Sequence, residues 1–121
     1  MRIKDIIVGS NELSFIKDSR RVRDETITIR FPLEVLEWIK CEKNRRILLS
    51  ICNLPSLKKR IENPRSLKSL ILLLYSIAKN TPPYKVALKF GVHPEQLYRH
   101  RRAILSAGLY DALAIILEEK C

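Results

Sequence analysis

The stretch from residue 63 to residue 80 constrains the fold of this chain most strongly, because it predicts a helix that is apolar on nearly every side. Asn63 is a good N-cap, and Pro64 stands at the first helical position, where its missing N–H costs nothing. The body that follows, LKSLILLLYSIA, has few polar positions, and Asn80 can close the helix. A helix of this kind is buried on most sides, so we expect it to be the central helix of the fold.

The N-terminal part of the chain predicts strands separated by less regular segments. Residues 1–8 (MRIKDIIV) suit a short strand or an arm, ended by the GSN at residues 9–11. Residues 12–24 contain crowded arginines that fit either a phosphate-contacting arm or a solvated loop, and we favour the loop. Residues 26–31 (TITIRF) alternate, with Ile27, Ile29 and Phe31 on one side, which predicts a strand.

Two helices are predicted after this strand. Pro32 would end the strand, and an apolar helix begins at Leu33. The polar run KNRR at residues 43–46 is expected to interrupt that helix. A second apolar helix follows from residue 47 to residue 52 and ends before Pro55. Residues 56–62 predict a short basic helix or turn with a solvated face.

The order of strand, helix, polar break and helix over residues 25–54 resembles that of the ribbon-helix-helix repressors. The resemblance implies that paired strands from a dimer lie in the major groove, with Thr26, Thr28 and Arg30 as the outward residues. The alternative, which we favour, is an ordinary core strand with a polar outer face.

The charge of the chain indicates an anionic partner. Lys and Arg number 23 against 13 Asp and Glu, a net charge of +10 over 121 residues, and the 46% of hydrophobic residues can form a packed core. Residues 81–105 contain one acid, Glu95, against Lys85, Lys89, Arg99, Arg101 and Arg102. This clustering favours nucleic acid over an acidic membrane face or a generic basic surface.

The same residues, 81–105, predict two short helices joined by a tight turn. Thr81 can cap the first helix, with Pro82 at its first position. Gly91 can adopt the left-handed conformation that ends a helix sharply. His93 and Pro94 would then cap and begin the second helix, whose first turn favours the negative charge of Glu95. The inward residues are expected to be Val86, Ala87, Phe90, Val92 and Leu97.

This pattern resembles the helix-turn-helix of DNA-binding proteins. The resemblance implies that the 94–105 helix reads duplex DNA, and the DNA-binding candidates are Lys85, Lys89, His93, Glu95, Tyr98, Arg99, Arg101 and Arg102. From Leu97 the inward face should continue at His100, Arg101, Ile104 and Leu105, and the opposite side should present Glu95, Tyr98, Arg99 and Arg102. His100 occupies a position that is usually aliphatic, so either it is a satisfied, partly buried histidine or the register is shifted by one residue. A shift would exchange Arg101 for Arg102 among the contacts. The alternative for the whole motif is a helical hairpin with a basic exposed face.

Several sequence features argue against other functions. Cys41, Cys52 and Cys121 lack metal-site spacing, and their odd number suggests two structural thiols and a free one at the C-terminus, in a reducing compartment. His93 and His100 have no nearby thiol, so we expect no metal. We find no catalytic triad, no phosphate-binding glycine loop and no apolar run long enough to span a membrane. We therefore expect no enzymatic activity, no cofactor, no small-molecule substrate and no membrane partner.

The sequence thus predicts a mainly α fold: a tri-helical helix-turn-helix domain preceded by a small strand-plus-helices N-terminal region. The predicted division is 1–24 (arm or strand region), 25–62 (strand plus helices) and 63–121 (DNA-binding domain with a C-terminal helix). The final helix, residues 109–117, either completes the core or forms a homodimer contact.

The predicted function is that of a small transcription regulator of double-stranded DNA in the cytoplasm, associated with the nucleoid, with a composition typical of thermophiles. The alternative is a protein–protein adaptor or accessory factor of a nucleic-acid machine, based on apolar surface in the final helix and around Trp38. Binding to RNA or single strands is disfavoured, because Tyr84 and Tyr98 are the only aromatics in the basic region that are not expected to face inward.

Overall fold

Three antiparallel strands precede seven helices in this mainly α fold. A computed structural model of the chain describes residues 2–18, 25–58, 63–119 and 121. The sheet has the order β1-β2-β3, formed by Arg2–Val8, Glu12–Asp18 and Glu25–Arg30. The helices are α1 (Leu33–Ile39), α2 (Glu42–Cys52), α3 (Pro55–Lys58), α4 (Pro64–Ala78), α5 (Pro83–Phe90), α6 (Pro94–Ser106) and α7 (Tyr110–Glu118).

The sheet buries one face against the helices. Phe15 of β2 is fully buried and lies opposite both Ile6 of β1 and Ile27 of β3. The strand predicted near residues 26–31 is therefore confirmed, and of the two alternatives for residues 1–8, a strand or an arm, the structure shows the strand. The loop predicted for residues 12–24 is wrong for residues 12–18, which form the central strand, because pairing on both sides satisfies the backbone there. Residues 19–24, with the arginine cluster, lie outside the described part of the chain.

Side chains cover backbone groups of the edge strand β1, and the outward side chains of β3 are exposed. On β1 the side-chain amide of Asn53 accepts a hydrogen bond from the N–H of Ile3 and donates one to its carbonyl, both at 2.9 Å, and the Asp5 carboxylate accepts from the N–H of Ile6 at 2.8 Å. These side chains occupy backbone groups that could otherwise pair with another strand. On β3 the outward residues expected from the ribbon-helix-helix resemblance, Thr26, Thr28 and Arg30, are exposed.

The boundary between α1 and α2 lies at Lys40 and Cys41, so the break predicted at residues 43–46 is wrong. Those residues lie inside α2. Asn44 is buried, and its side-chain amide donates a 2.8 Å hydrogen bond to the carbonyl of Trp38 near the end of α1. A polar run that looks like a helix break therefore contains a side chain that joins the two helices.

Helix α4 is the central helix, as predicted. The side chain of Asn63 accepts a 2.8 Å hydrogen bond from the N–H of Ser66, so the predicted cap is confirmed. Asn80, with φ of 50°, follows its last turn in the left-handed region. The helix contacts β3, α1, α5, α6 and α7, and five consecutive residues have no exposed surface: Leu70, Ile71, Leu72, Leu73 and Leu74.

Helix α7 completes the core and is fixed at its far end. Leu113 and Leu117 are buried, whereas Ile115 remains 65% exposed. The Nζ of Lys43 donates hydrogen bonds to the carbonyls of Ile116 and Glu119. Of the two roles expected for this helix, the structure shows the first, and a homodimer contact stays a prediction.

Cys41 and Cys121 form a disulfide bond across 80 residues of sequence. The expected set of unbridged thiols is therefore wrong, and the odd cysteine is Cys52, which is buried. Burial raises the pKa of the Cys52 thiol to about 12. None of the described helices is long and apolar enough to cross a membrane.

Candidate nucleic-acid interface

Helices α5 and α6 are joined by the tight turn that the sequence predicts. Gly91 has φ of 68° and ψ of 32°, and the N–H of Val92 bonds back to the carbonyl of Ala87 at 3.0 Å. His93 is the N-cap of α6, and its Nδ1 accepts a 3.2 Å hydrogen bond from the N–H of Glu95. These features confirm the predicted turn and the predicted start of the second helix.

The start of α5 differs from the prediction by one residue. Pro82 is the N-cap and Pro83 the first helical residue, so Thr81 is not the cap. The hydroxyl of Thr81 donates to the carbonyl of Lys79 at 3.2 Å instead. Two consecutive prolines allow this shift, because either can occupy the first turn without losing a helical hydrogen bond.

Helices α4, α5 and α6 each contact the other two. Val86 and Ala87 of α5 are buried, as are Leu97 and Ile104 of α6. The rings of Tyr75 on α4 and Phe90 on α5 meet edge to face, with centroids 6.1 Å apart. The small side chain of Ala87 has no exposed surface, which is consistent with a close approach between helices.

His100 fixes the rotational setting of α6. Its side chain is only 3% exposed, and Nε2 lies 3.0 Å from the carbonyl of Ser66 in the first turn of α4. A carbonyl can only accept, so Nε2 carries the hydrogen in this contact. Leu97, His100 and Ile104 therefore face inward, and the register shifted by one residue is wrong. Leu105, expected to face inward, is 45% exposed.

The face of α6 opposite this core carries two arginines and one carboxylate. Arg99 and Arg102 have 59% and 63% of their side-chain surface exposed, and Glu95 has 51%. Glu95 Oε1 lies 3.7 Å from Nε of Arg99 and 3.2 Å from a terminal nitrogen of Arg102. One carboxylate oxygen is thus shared by both guanidinium groups. The outward placement of these three residues agrees with the sequence prediction.

Tyr98 and Arg101 are half-buried on a different side of α6, so the outward placement expected for Tyr98 beside Arg99 and Arg102 is wrong. The guanidinium carbon of Arg101 is 5.3 Å from the ring centroid of Tyr110 on α7, a cation–π contact. Both Tyr98 and Arg101 line an open groove of about 500 Å³ that also involves Asn80 and the start of α5. Arg101 is therefore held beside α7 and separated from the face that carries Arg99 and Arg102.

The two lysines of α5 have different surroundings. Lys89 Nζ lies 2.6 Å from a carboxylate oxygen of Glu34 on α1, and this hydrogen bond raises the pKa of Lys89. The Lys85 side chain is exposed. Of the two, Lys85 is the better placed to approach a phosphate, because Lys89 would first exchange its carboxylate partner.

Residues outside the predicted motif contact several of its side chains: Glu34 pairs with Lys89, the Ser66 carbonyl accepts a hydrogen bond from His100, and Tyr110 contacts Arg101. Ser56 on α3 lines a shallow groove with Arg102. Local sequence spacing gives no signal for the Glu34 and Ser66 contacts, which join residues 55 and 34 positions apart. The basic stretch around Ser56 was visible in sequence, but residues 59–62 lie outside the described part of the chain.

Comparison of the chain with protein-family models, with curated proteins and with solved structures gives no match. Within the described residues, no group of three or more His, Cys, Asp or Glu side chains could hold a metal ion.

Replacing Gly91 with alanine should destabilise the protein by about 1–2 kcal/mol, because an L-residue is strained at this positive φ. An added Cβ would meet no atom within 4 Å, so the loss is conformational and not steric. Thermal unfolding of Gly91→Ala beside Gly91→Asn provides the measurement, since asparagine tolerates the left-handed region better and should lose less. Equal melting temperatures for all three proteins would contradict this account of the turn.

Proposed function

We propose that this protein binds double-stranded DNA with the outward face of α6, as a helix-turn-helix unit formed by α4, α5 and α6. The observation that supports this most directly is the pair Arg99 and Arg102, exposed on a helix whose opposite face is buried. A guanidinium group suits phosphate oxygens and guanine edges because its planar fork can donate two parallel hydrogen bonds. The role proposed is that of a small transcription regulator without enzymatic activity.

The charge distribution supports α6 in preference to the sheet as the DNA-binding element. The outward face of the sheet carries Arg30 directly opposite Glu12, and Asp18 opposite Arg2. Asp5 adds a further negative charge on β1. A phosphate backbone approaching this face would meet acids beside its cations, which opposes non-specific binding. The ribbon-helix-helix mode is accordingly not part of the proposal.

The test is a fluorescence-anisotropy titration of a random-sequence duplex across salt concentrations. Arg99→Ala and Arg102→Ala should each weaken binding by roughly 5–100-fold, and each should lower the salt slope by about one if the side chain contacts a phosphate. Arg46→Ala on α2 is the matched control: it removes an exposed arginine that is also paired with a glutamate, at 2.8 Å. A wild-type protein without duplex affinity at low salt would refute the proposal.

A second candidate function, a protein–protein adaptor, is favoured by exposed apolar side chains. Leu33 on α1, Leu88 on α5 and Ile115 on α7 are 65%, 73% and 65% exposed. Trp38, on which the sequence argument partly relied, is only 8% exposed and gives no support. Light scattering combined with the same titration separates the candidates, because an adaptor would be indifferent to DNA. A homodimer, which a palindromic DNA site would require, would appear as a doubled mass.

A further inference from the structure

Among the residues that the structure describes, Glu95 is the only carboxylate that contacts both arginines of the proposed interface. A negative charge on a DNA-facing surface repels phosphates, so a residue in that place weakens binding unless it gains something from the bases. Glu95 also lies in the first turn of α6, the part of a helix whose side chains reach base edges when it enters a major groove.

The contacts of Glu95 show how it competes with DNA. Its Oε1 lies 3.2 Å from Arg102 and 3.7 Å from Arg99, so a single oxygen serves both cations in the free protein. All three side chains are more than half exposed, and exposed ion pairs of this kind are weak enough to exchange partners. A phosphate that binds either arginine must therefore displace or share this carboxylate.

We propose that Glu95 is the specificity-determining residue of the interface: it restrains Arg99 and Arg102 on non-specific DNA and accepts a hydrogen bond from a base amino group in the correct site. The major-groove donors that a carboxylate can accept from are the N4 amino group of cytosine and the N6 amino group of adenine, with cytosine the usual partner of glutamate. The hydrogen bond from such a base replaces the contacts that Glu95 loses when Arg99 and Arg102 bind DNA. Guanine or thymine on the contacted strand presents an acceptor oxygen in place of the amino donor and leaves the negative charge unsatisfied.

This inference rests on the proposed function and predicts an effect of opposite sign to the arginine variants. Glu95→Gln removes the charge but keeps the length of the side chain, so random-sequence duplex should bind about 3–10-fold more tightly and with a steeper salt dependence. At the same time the preference for cytosine should decline in favour of adenine, because a glutamine amide can accept from N6 of adenine and donate to its N7.

The matched control is Glu42→Gln. Glu42 pairs with Arg46 four residues later on α2, at 2.8 Å, and its side chain is 68% exposed. Both substitutions raise the net charge by one unit, so a general charge effect would tighten binding equally in both proteins. An effect of Glu95 in particular would appear as a change in Glu95→Gln alone. Thermal melts of both variants verify that each is folded.

The experiment combines anisotropy on a random-sequence duplex with selection from a randomised duplex library. For the wild type, the selected sites, aligned in one register, should contain a position at which the same strand prefers cytosine over guanine and thymine, and Glu95→Gln should lose that preference for cytosine. If Glu95→Gln binds random duplex no more tightly than Glu42→Gln, or selects the same site as the wild type, the inference is wrong while DNA binding through Arg99 and Arg102 stands. If the wild type binds no duplex at all, both are wrong.

Discussion

Replacing Cys41 and Cys121 together with alanine is expected to lower the free energy of unfolding by about 2–5 kcal/mol and the melting temperature by roughly 8–20 °C. The bridge closes a loop across 80 residues, and the loss of chain entropy in the unfolded state grows with loop length. Alanine is preferable to serine at position 41, because Cys41 is the N-cap of α2 and a serine there could add a new capping hydrogen bond.

Two controls separate the covalent bond from the contacts around it. Wild-type protein in excess reductant should melt close to the double-alanine variant. Lys43→Met removes the hydrogen bonds to the carbonyls of Ile116 and Glu119 while leaving the bridge intact, so it should cost much less. A thiol assay supports the comparison: without reductant the folded protein should show no reactive thiol near pH 8, because burial raises the pKa of Cys52 to about 12. Similar melting of oxidised and reduced protein would contradict the prediction.

The second large effect is expected in α4. Leu72→Ala should destabilise the protein by about 2–5 kcal/mol, because it removes buried methyl groups and leaves a cavity between α4 and the elements packed around it. The measurement is chemical unfolding in urea, in which the midpoint should fall while the slope stays constant.

Leu88→Ala is the matched control for this substitution. Leu88 is 73% exposed on α5, so the same change of side chain should alter stability by only about half a kcal/mol in either direction. A similar loss for both variants would mean that α4 is not the buried centre of the fold.

The sequence predicts most accurately those features that depend on a few neighbouring residues. The cap at Asn63, the left-handed Gly91 and the cap at His93 were all correct, because each depends on the conformational preferences of one or two residues. The alternation of Ile27 and Ile29 likewise predicted a strand, since period two is a local property. At the start of α5, where two prolines compete, the same rules erred by one residue.

Features that depend on distant partners were missed. The segment ELSFIKD was expected to be a loop, yet β2 pairs with a strand on each side and so becomes the centre of the sheet. The bridge between Cys41 and Cys121 cannot be inferred from an odd cysteine count, because it requires knowing that the two residues meet in space. Asn44 was assigned to a break although it joins two helices, since its partner, the Trp38 carbonyl, belongs to the backbone and leaves no signal in the sequence.

The candidate site lies between these cases. Helical periodicity placed Glu95, Arg99 and Arg102 outward correctly, but it could not decide whether His100 faces the core. The contact between His100 and the carbonyl of Ser66 decides this, because it orients the whole helix. The contact of Glu95 with both arginines also cannot be read from sequence spacing. It depends on which of several possible rotamers each of the three side chains adopts.

The bridge between Cys41 and Cys121 closes the chain between them into a covalent ring. The segment before Cys41, which contains the β-sheet and α1, is joined to this ring at one end only. A protease that cuts once inside this ring opens it without releasing a fragment, so the nicked protein keeps its mass, apart from one added water, until reductant is supplied. A cut before Cys41 at once releases the part of the chain that precedes the cut. Gels run with and without reductant therefore locate a single cleavage on one side of Cys41 or the other. They do so without sequencing any fragment.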